Sequence, residues 1–186
     1  MSAPALSEAA AWRLLSCLLE RPRDSWREEV AVLAREVGDP ALAEAAARAA
    51  SEASEGAYLA VLGPGGSVSP RQVAYEPERD PAAILAQLAT LYDAFAYRPA
   101  GEDPPDHIAV ELGFAGFLAL KGAWAATQGD ATALATLQRA TELFRREHLD
   151  AFAGALGQRL ATTHGYLATS GLALAEFVRR GLDPLG

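Results

Sequence analysis

Cysteine is almost missing from this chain: Cys17 is the single one among 186 residues. An intrachain disulfide is therefore excluded, and so is a thiolate cluster for zinc or iron–sulfur. Cys17 sits among Leu14, Leu15, Leu18 and Leu19, surroundings that suit buried packing rather than reactivity. Asparagine is absent, isoleucine is rare, and of 16 basic residues only Lys121 is a lysine. With few β-branched residues and much Ala, Leu, Arg and Glu, the composition argues against sheets and for helices throughout. The longest uncharged run near the centre, Leu112 to Leu120, is too short to span a membrane. The N-terminus places Glu8 ahead of Arg13 and lacks the basic-then-apolar order of a secretory signal, so a cytoplasmic location is expected.

The common catalytic signatures are also missing. There is no nucleophile elbow, no phosphate-binding glycine loop and no HExxH zinc motif. Gly63-Pro64-Gly65-Gly66 is glycine-rich but has no lysine or flanking strand, so it reads as a turn. The formal net charge of −8 repels phosphate backbones and disfavours nucleic acid as a partner, while it suits a basic peptide.

What is present is an ordinary soluble composition, 51% hydrophobic and 22% charged, in a chain long enough for one self-sufficient core. Hydrophobic periodicity and helix stop signals divide it into about eight or nine helices. The expectation is an all-α, single-domain helical bundle over residues 1–186. The first helix runs from about Ser7 to Glu20 and stops at Pro22. The second opens at a Ser25-x-x-Glu28 capping box and ends near Gly38. Asp39-Pro40 and Asp80-Pro81 are N-caps followed by proline at the first helical position. Between them lie a short helix from Tyr58 to Leu62 and a long connector from Gly63 to Arg79. The helix after Asp80 carries Ile84, Leu88, Leu91, Tyr92 and Phe95. A hinge follows at 98–105, then a central helix from Asp106 to about Gln128. Asp130 caps the next helix, and two more cover about Glu147 to Thr162 and Gly165 to Arg180, with Asp183-Pro184 at the close. Connectors this long in a compact domain are usually functional, which makes both of them suspects.

The most informative stretch is Pro104-Pro105-Asp106-His107-Ile108-Ala109-Val110-Glu111-Leu112. Its two prolines hold the chain out of helical geometry until Asp106. Asp106 suits the N-cap, where its carboxylate can accept the Ala109 amide. His107 and Glu111 are four apart and can touch on one helical face. The residues alone leave two readings open. One is an acidic cap with an intrahelical His–Glu pair, worth about 0.2–0.5 kcal/mol to the helix. The other is a polar binding site, where carboxylates await a cation and the imidazole changes charge near neutral pH. An alternative from another class is a helical-bundle metal protein or enzyme using His107, Glu111 and His148, although only His107-x-x-x-Glu111 has ligand spacing. His148 otherwise suits packing or a hydrogen bond at a helix start, and His164 a helix C-terminal cap. Arg145-Arg146 and Arg179-Arg180 fall within or at the ends of helices, as solvated faces or helix-end charges.

The string PPDHIAVEL, followed by Phe114, Phe117 and Leu118, resembles the signature of the TorD/DmsD/NarJ family of chaperones for molybdenum-containing oxidoreductases. AWRLLSCLLERP resembles the family's first helix, and GPGGSVSPRQVAYEPERDP its connector, with Pro70 and Tyr75 in the expected places. Tyr92 and Phe95 resemble its aromatic pair before the hinge. FRREHLDAFAGAL, from Phe144 to Leu156, resembles the late helix-turn that carries His148-Leu149. Two positions depart from the pattern: Arg71 follows Pro70 where many members have an aromatic, and Phe152 stands near where a Trp is often found.

The resemblance implies a TorD-like all-helical fold and a non-enzymatic chaperone with no cofactor of its own. Its partner would be the catalytic subunit of a molybdopterin-containing oxidoreductase, bound through an N-terminal, commonly twin-arginine, signal. On that basis Asp106, Glu111 and either Glu102 or Asp103 are expected to pair with arginines. His107 would orient a carboxylate or donate to the peptide, and Tyr92, Phe95, Phe114 and Leu118 would form apolar walls. The hinge would permit exchange of helices between subunits, so the expected state is a monomer or a domain-swapped homodimer.

Overall fold

The computed structural model describes residues 3–182, so the closing Asp183-Pro184 lies outside the described residues. Among the described residues nine α-helices run in order: α1 (Ala3–Leu18), α2 (Trp26–Glu36), α3 (Pro40–Glu52), α4 (Glu55–Leu62), α5 (Pro81–Ala94), α6 (Ile108–Gln128), α7 (Ala131–Phe144), α8 (Asp150–Ala161) and α9 (Tyr166–Leu182). No strand forms among the described residues, and the fold is all-α. The longest connector, between α4 and α5, holds a single 3-10 turn at Gln72–Ala74.

Most helix starts follow from local chemistry. Asp39 Oδ1 accepts the Ala41 and Leu42 amides at 2.8 and 3.2 Å, Asp80 Oδ1 the Ala82 amide at 3.0 Å, and Asp130 Oδ1 the Ala133 amide at 2.9 Å. Each supplies an acceptor to first-turn amides that have no partner within the helix. Ser25 departs from expectation. Its backbone is helical (φ −89°, ψ −1°) and its side chain caps nothing, so the capping box does not form. Tertiary packing overrides it: Trp26 is buried, and its indole N–H donates to the Cys17 carbonyl at 2.7 Å.

The second departure is at the C-terminal end of α7. The chain does not break there but passes through a π-type turn, Arg145–Leu149, directly into α8. The wider turn brings both His148 and Leu149 into the interior.

Helix α6 is the axis of the bundle, with α1 and α7 packed against it; α9 packs on α8 and α3. It is long and apolar enough by composition to cross a membrane, but most of it is buried inside the protein as a core helix. Gly116 lets α1 come close: a Cβ there would lie 3.2 Å from the Trp12 side chain and 3.3 Å from the Arg13 amide nitrogen. Leu14, Leu15, Leu18, Leu19 and Cys17 are fully buried on α1 and the turn after it, as their spacing indicated. Burial pushes the Cys17 thiol well above its ordinary pKa, which keeps it protonated and inert.

Candidate functional site

The connector 63–79 is fastened to the start of α6. Arg71 and His107 form an isolated antiparallel bridge. The Ile108 amide donates to the Pro70 carbonyl and the Gln72 amide to the Asp106 carbonyl, both at 2.9 Å. Residues 69–79 thus make a strap across the entrance to the central helix.

Asp106 is not the helix cap. Its carboxylate turns towards the strap, where Arg71 Nε donates to Oδ1 at 2.6 Å and the Val73 amide to Oδ2 at 3.4 Å. Asp106 is fully buried, while the Arg71 side chain is 35% exposed. The cap is His107, whose Nδ1 accepts the Ala109 amide at 3.2 Å. That nitrogen must be unprotonated, so the ring proton is on Nε2, 3.3 Å from the Tyr58 hydroxyl. Burial lowers the pKa of His107; Asp103 and Asp106 oppose the shift and Arg71 adds to it. The imidazole is therefore neutral.

His107 and Glu111 do not pair through their side chains. They share only the helical bond from the Glu111 amide to the His107 carbonyl, at 3.1 Å. The His107 ring is committed to Ala109 and Tyr58. Glu111 is fully buried, and neither carboxyl oxygen has a hydrogen-bond partner among the described residues. Burial pushes its pKa well above the usual carboxylate range; Asp106 and Glu76 add to the shift and Arg79 opposes it. Glu111 is enclosed beneath the strap, where burial favours its neutral form.

Tyr92 donates its hydroxyl to the Pro105 carbonyl at 2.8 Å, tying α5 to the end of the segment 98–105. Its ring lies 4.8 Å from that of Phe114, and Phe95 lies 6.1 Å from the same ring. Tyr92, Phe114 and Leu118 are core residues here, Phe95 is half-buried, and Glu102 and Asp103 are exposed. The structure thus gathers Asp106, His107, Glu111, Tyr92 and Phe114 around the start of α6. It leaves Glu102 and Asp103 exposed on the segment 98–105.

Sequence patterns give no role to Tyr58 or Gln72, read Tyr97 as a core residue whose hydroxyl reaches the surface, and mark Arg71 only as a departure. Gln72 Oε1 lies 3.3 Å from His148 Nδ1, and Gln72 also donates to Glu76. His148 stacks on Phe144, and burial lowers its pKa. The Tyr97 hydroxyl donates to the Val110 carbonyl at 3.3 Å. His107 and His148 therefore face different partners. Among the described residues no group of three or more His, Cys, Asp or Glu is placed to hold a metal ion.

His164 lies exposed beyond the end of α8, which is capped at Thr162, so it is not the cap. Arg145 is not on a solvated face: it pairs with Asp150 at 3.1 Å and lies over the Trp12 ring. Arg180 pairs with Asp39.

Two cavities flank the segment 98–105. One, of about 570 Å³, runs between α1, α6 and that segment; Ala9, Ala10, Gly113, Phe117 and Leu120 line it, and its charged groups are Glu20, Glu36 and Asp103 with Arg13, Arg23 and Arg98. The other, of about 550 Å³, lies between Tyr58, the start of the connector and His107. Asp103 borders both.

The family described as nitrate reductase delta subunit matches residues 22–157, which takes in the strap, the segment 98–105, α6 and the π-type turn. The chain belongs to that family. This is the NarJ/TorD-type chaperone family, whose members mature molybdoenzymes by acting on the catalytic subunit. No curated protein and no solved structure matches the chain. As a family member it carries the strap and the segment 98–105 within the matched region, whereas α1, which forms one wall of the 570 Å³ cavity, lies before it.

Proposed function

We propose that this chaperone works in the cytoplasm, binding the N-terminal, twin-arginine signal of the catalytic subunit of a molybdopterin-containing oxidoreductase. It holds that subunit for cofactor insertion. The observation that carries this reading is the groove between α1 and α6, about 570 Å³, whose apolar lining meets a carboxylate at Asp103. A twin-arginine signal joins a basic head to an apolar, often helical stretch, and a groove with an acidic end accommodates both parts. Charge-assisted bonds from arginine to carboxylate orient the head.

With the strap fastened, Glu102 and Asp103 are the candidate carboxylates open to solvent, and Phe95 is partly so. Asp106, His107, Glu111, Tyr92, Phe114 and Leu118 lie behind that surface and serve the client once the entrance opens. The chaperone acts as a monomer or as a homodimer that exchanges helices at the 98–105 hinge.

The test is co-purification from the native host, using wild type and a Glu102→Lys, Asp103→Lys double variant as baits. Wild type should recover a molybdopterin oxidoreductase catalytic subunit. The charge-reversed variant, with unchanged helicity, should lose most of it. Equal recovery by both would remove the acidic hinge from the site.

A further inference from the structure

We propose that Arg71 is a tethered internal occupant of a guanidinium site built on Asp106, and that the strap must lift away before a client arginine can take its place. This rests on the function proposed above and adds to it a means of regulation.

The first ground is the asymmetry of the Arg71–Asp106 pair. Asp106 is fully buried on the rigid entrance to α6, whereas Arg71 is 35% exposed and projects from an irregular connector. The fixed partner is the acid and the exchangeable one is the guanidinium. The head of a twin-arginine signal offers the same chemical group, so substitution leaves no buried charge unpaired, which is the main penalty for breaking such a pair. Arg71 donates to Asp106 through Nε. A free arginine can approach with two parallel N–H groups, the stronger geometry.

The second ground is Glu111. It is wholly buried with both oxygens unpartnered, and Asp106 is the largest of the charges acting on it. A buried carboxyl without a donor costs free energy in the fastened state. A twin-arginine head brings two guanidinium groups, one for Asp106 and a donor for Glu111. Arg71 alone serves only the first.

The third ground is how the strap is held. The Tyr75 hydroxyl donates to the Ser69 carbonyl at 2.9 Å, which closes residues 69–75 into one unit. Arg79 anchors the far end through Gln87 at 2.7 Å and the Glu147 carbonyl at 3.0 Å, and pairs within the strap with Glu76 at 2.6 Å. The near end is joined to α6 by the Ile108 and Gln72 amide bonds, the weaker Val73 contact and the Arg71 ion pair, and to the π-type turn by the buried Gln72 side chain at His148. Lifting therefore breaks this set at one end while Arg79 stays anchored at the other.

The experiment titrates the full chain with a synthetic peptide of two adjacent arginines followed by an apolar helical stretch. If Arg71 occupies the site more than nine-tenths of the time, Arg71→Gln should bind at least about tenfold more tightly than wild type. Arg71→Lys should fall between them. A peptide with both arginines changed to glutamine should lose the gain. Because Arg71→Gln leaves Asp106 buried and unpaired and is open to misfolding, amide hydrogen exchange on wild type supplies a second readout. Saturating peptide should deprotect the Gln72 and Ile108 amides while the Leu134 amide, bonded to the Asp130 carbonyl, stays protected. Peptide binding with equal affinity in wild type and Arg71→Gln, with Gln72 and Ile108 still protected, overturns the gating by Arg71 and leaves the chaperone function standing. Peptide binding to neither protein overturns both.

Discussion

Glu111 and His107 sit four positions apart and titrate in opposite senses. Burial raises the Glu111 carboxyl above its usual value of 4.5, so its contribution to stability is complete below that pH and is lost as pH rises towards the folded value. Burial lowers His107 and His148 below 6.5, so their contribution is complete above 6.5 and is lost as pH falls through the folded values. Glu111→Gln removes the first loss and leaves the second. It should stabilise the fold by about 1–3 kcal/mol near pH 8 and by little near pH 4, measured by urea unfolding at the two values. A variant no more stable than wild type near pH 8 would mean that Glu111 is ionised and partnered. The acidic-side slope should persist in the variant because it belongs to the two histidines.

At the scale of elements, the tightest joint is the α8–α9 crossing. A Cβ on Gly171 would lie 2.4 Å from Leu160 Cβ, 2.7 Å from the Gly157 carbonyl oxygen and 2.9 Å from the Ala161 amide nitrogen. Two of these three atoms are backbone, which cannot rotate away, so Gly171→Ala must drive the helices apart. The expected loss is about 1–3 kcal/mol. A Cβ on Gly154, also on α8, would meet nothing within 4 Å, so Gly154→Ala should gain about 0.5–1 kcal/mol from helix propensity. Thermal unfolding of the pair separates contact from propensity, and equal effects would contradict the close approach. The sequence signals neither glycine, because both sit inside helical patterns and close approach is a property of the partner helix. By contrast, the starts at Asp39, Asp80 and Asp130 are legible, since a cap and its amides lie within three residues. Ser25 carries the same signal and fails because Trp26 is drawn inward to Cys17. The π-type turn at 145–149 is hidden for a related reason: Arg145 is held by Asp150 and Trp12, contacts that an uninterrupted helical pattern does not announce.

Across the whole molecule, local pattern locates the entrance to α6 but not what fills it. Asp106 reads as a cap because its nearest amides are local, yet its strongest partner is Arg71, 35 residues away. Tyr58, facing His107, is 49 residues distant and equally invisible to spacing. Charge is the global property that the sequence does supply, and it bears on the client. The net charge is −8, and Glu102 and Asp103 are exposed on the segment 98–105. The nearby cations Arg13, Arg23 and Arg98 are already paired, the first with Glu20 and Glu29, the second with Glu20 and the third with Asp93. A basic-headed peptide therefore approaches a surface whose positive charge is largely compensated and whose Glu102 and Asp103 carboxylates face solvent. Attraction between exposed charges is screened once the Debye length falls below their separation, about 10 Å at 0.1 M salt. Raising salt from about 0.05 to about 0.5 M should weaken binding of a twin-arginine peptide several-fold, mainly through slower association. A glutamine-substituted peptide should show little change, because apolar burial does not depend on screening. Stopped-flow association at the two salt concentrations makes the comparison. A salt-independent rate for the arginine peptide would place its recognition in the apolar groove alone, and Glu102 and Asp103 would then have no part in it.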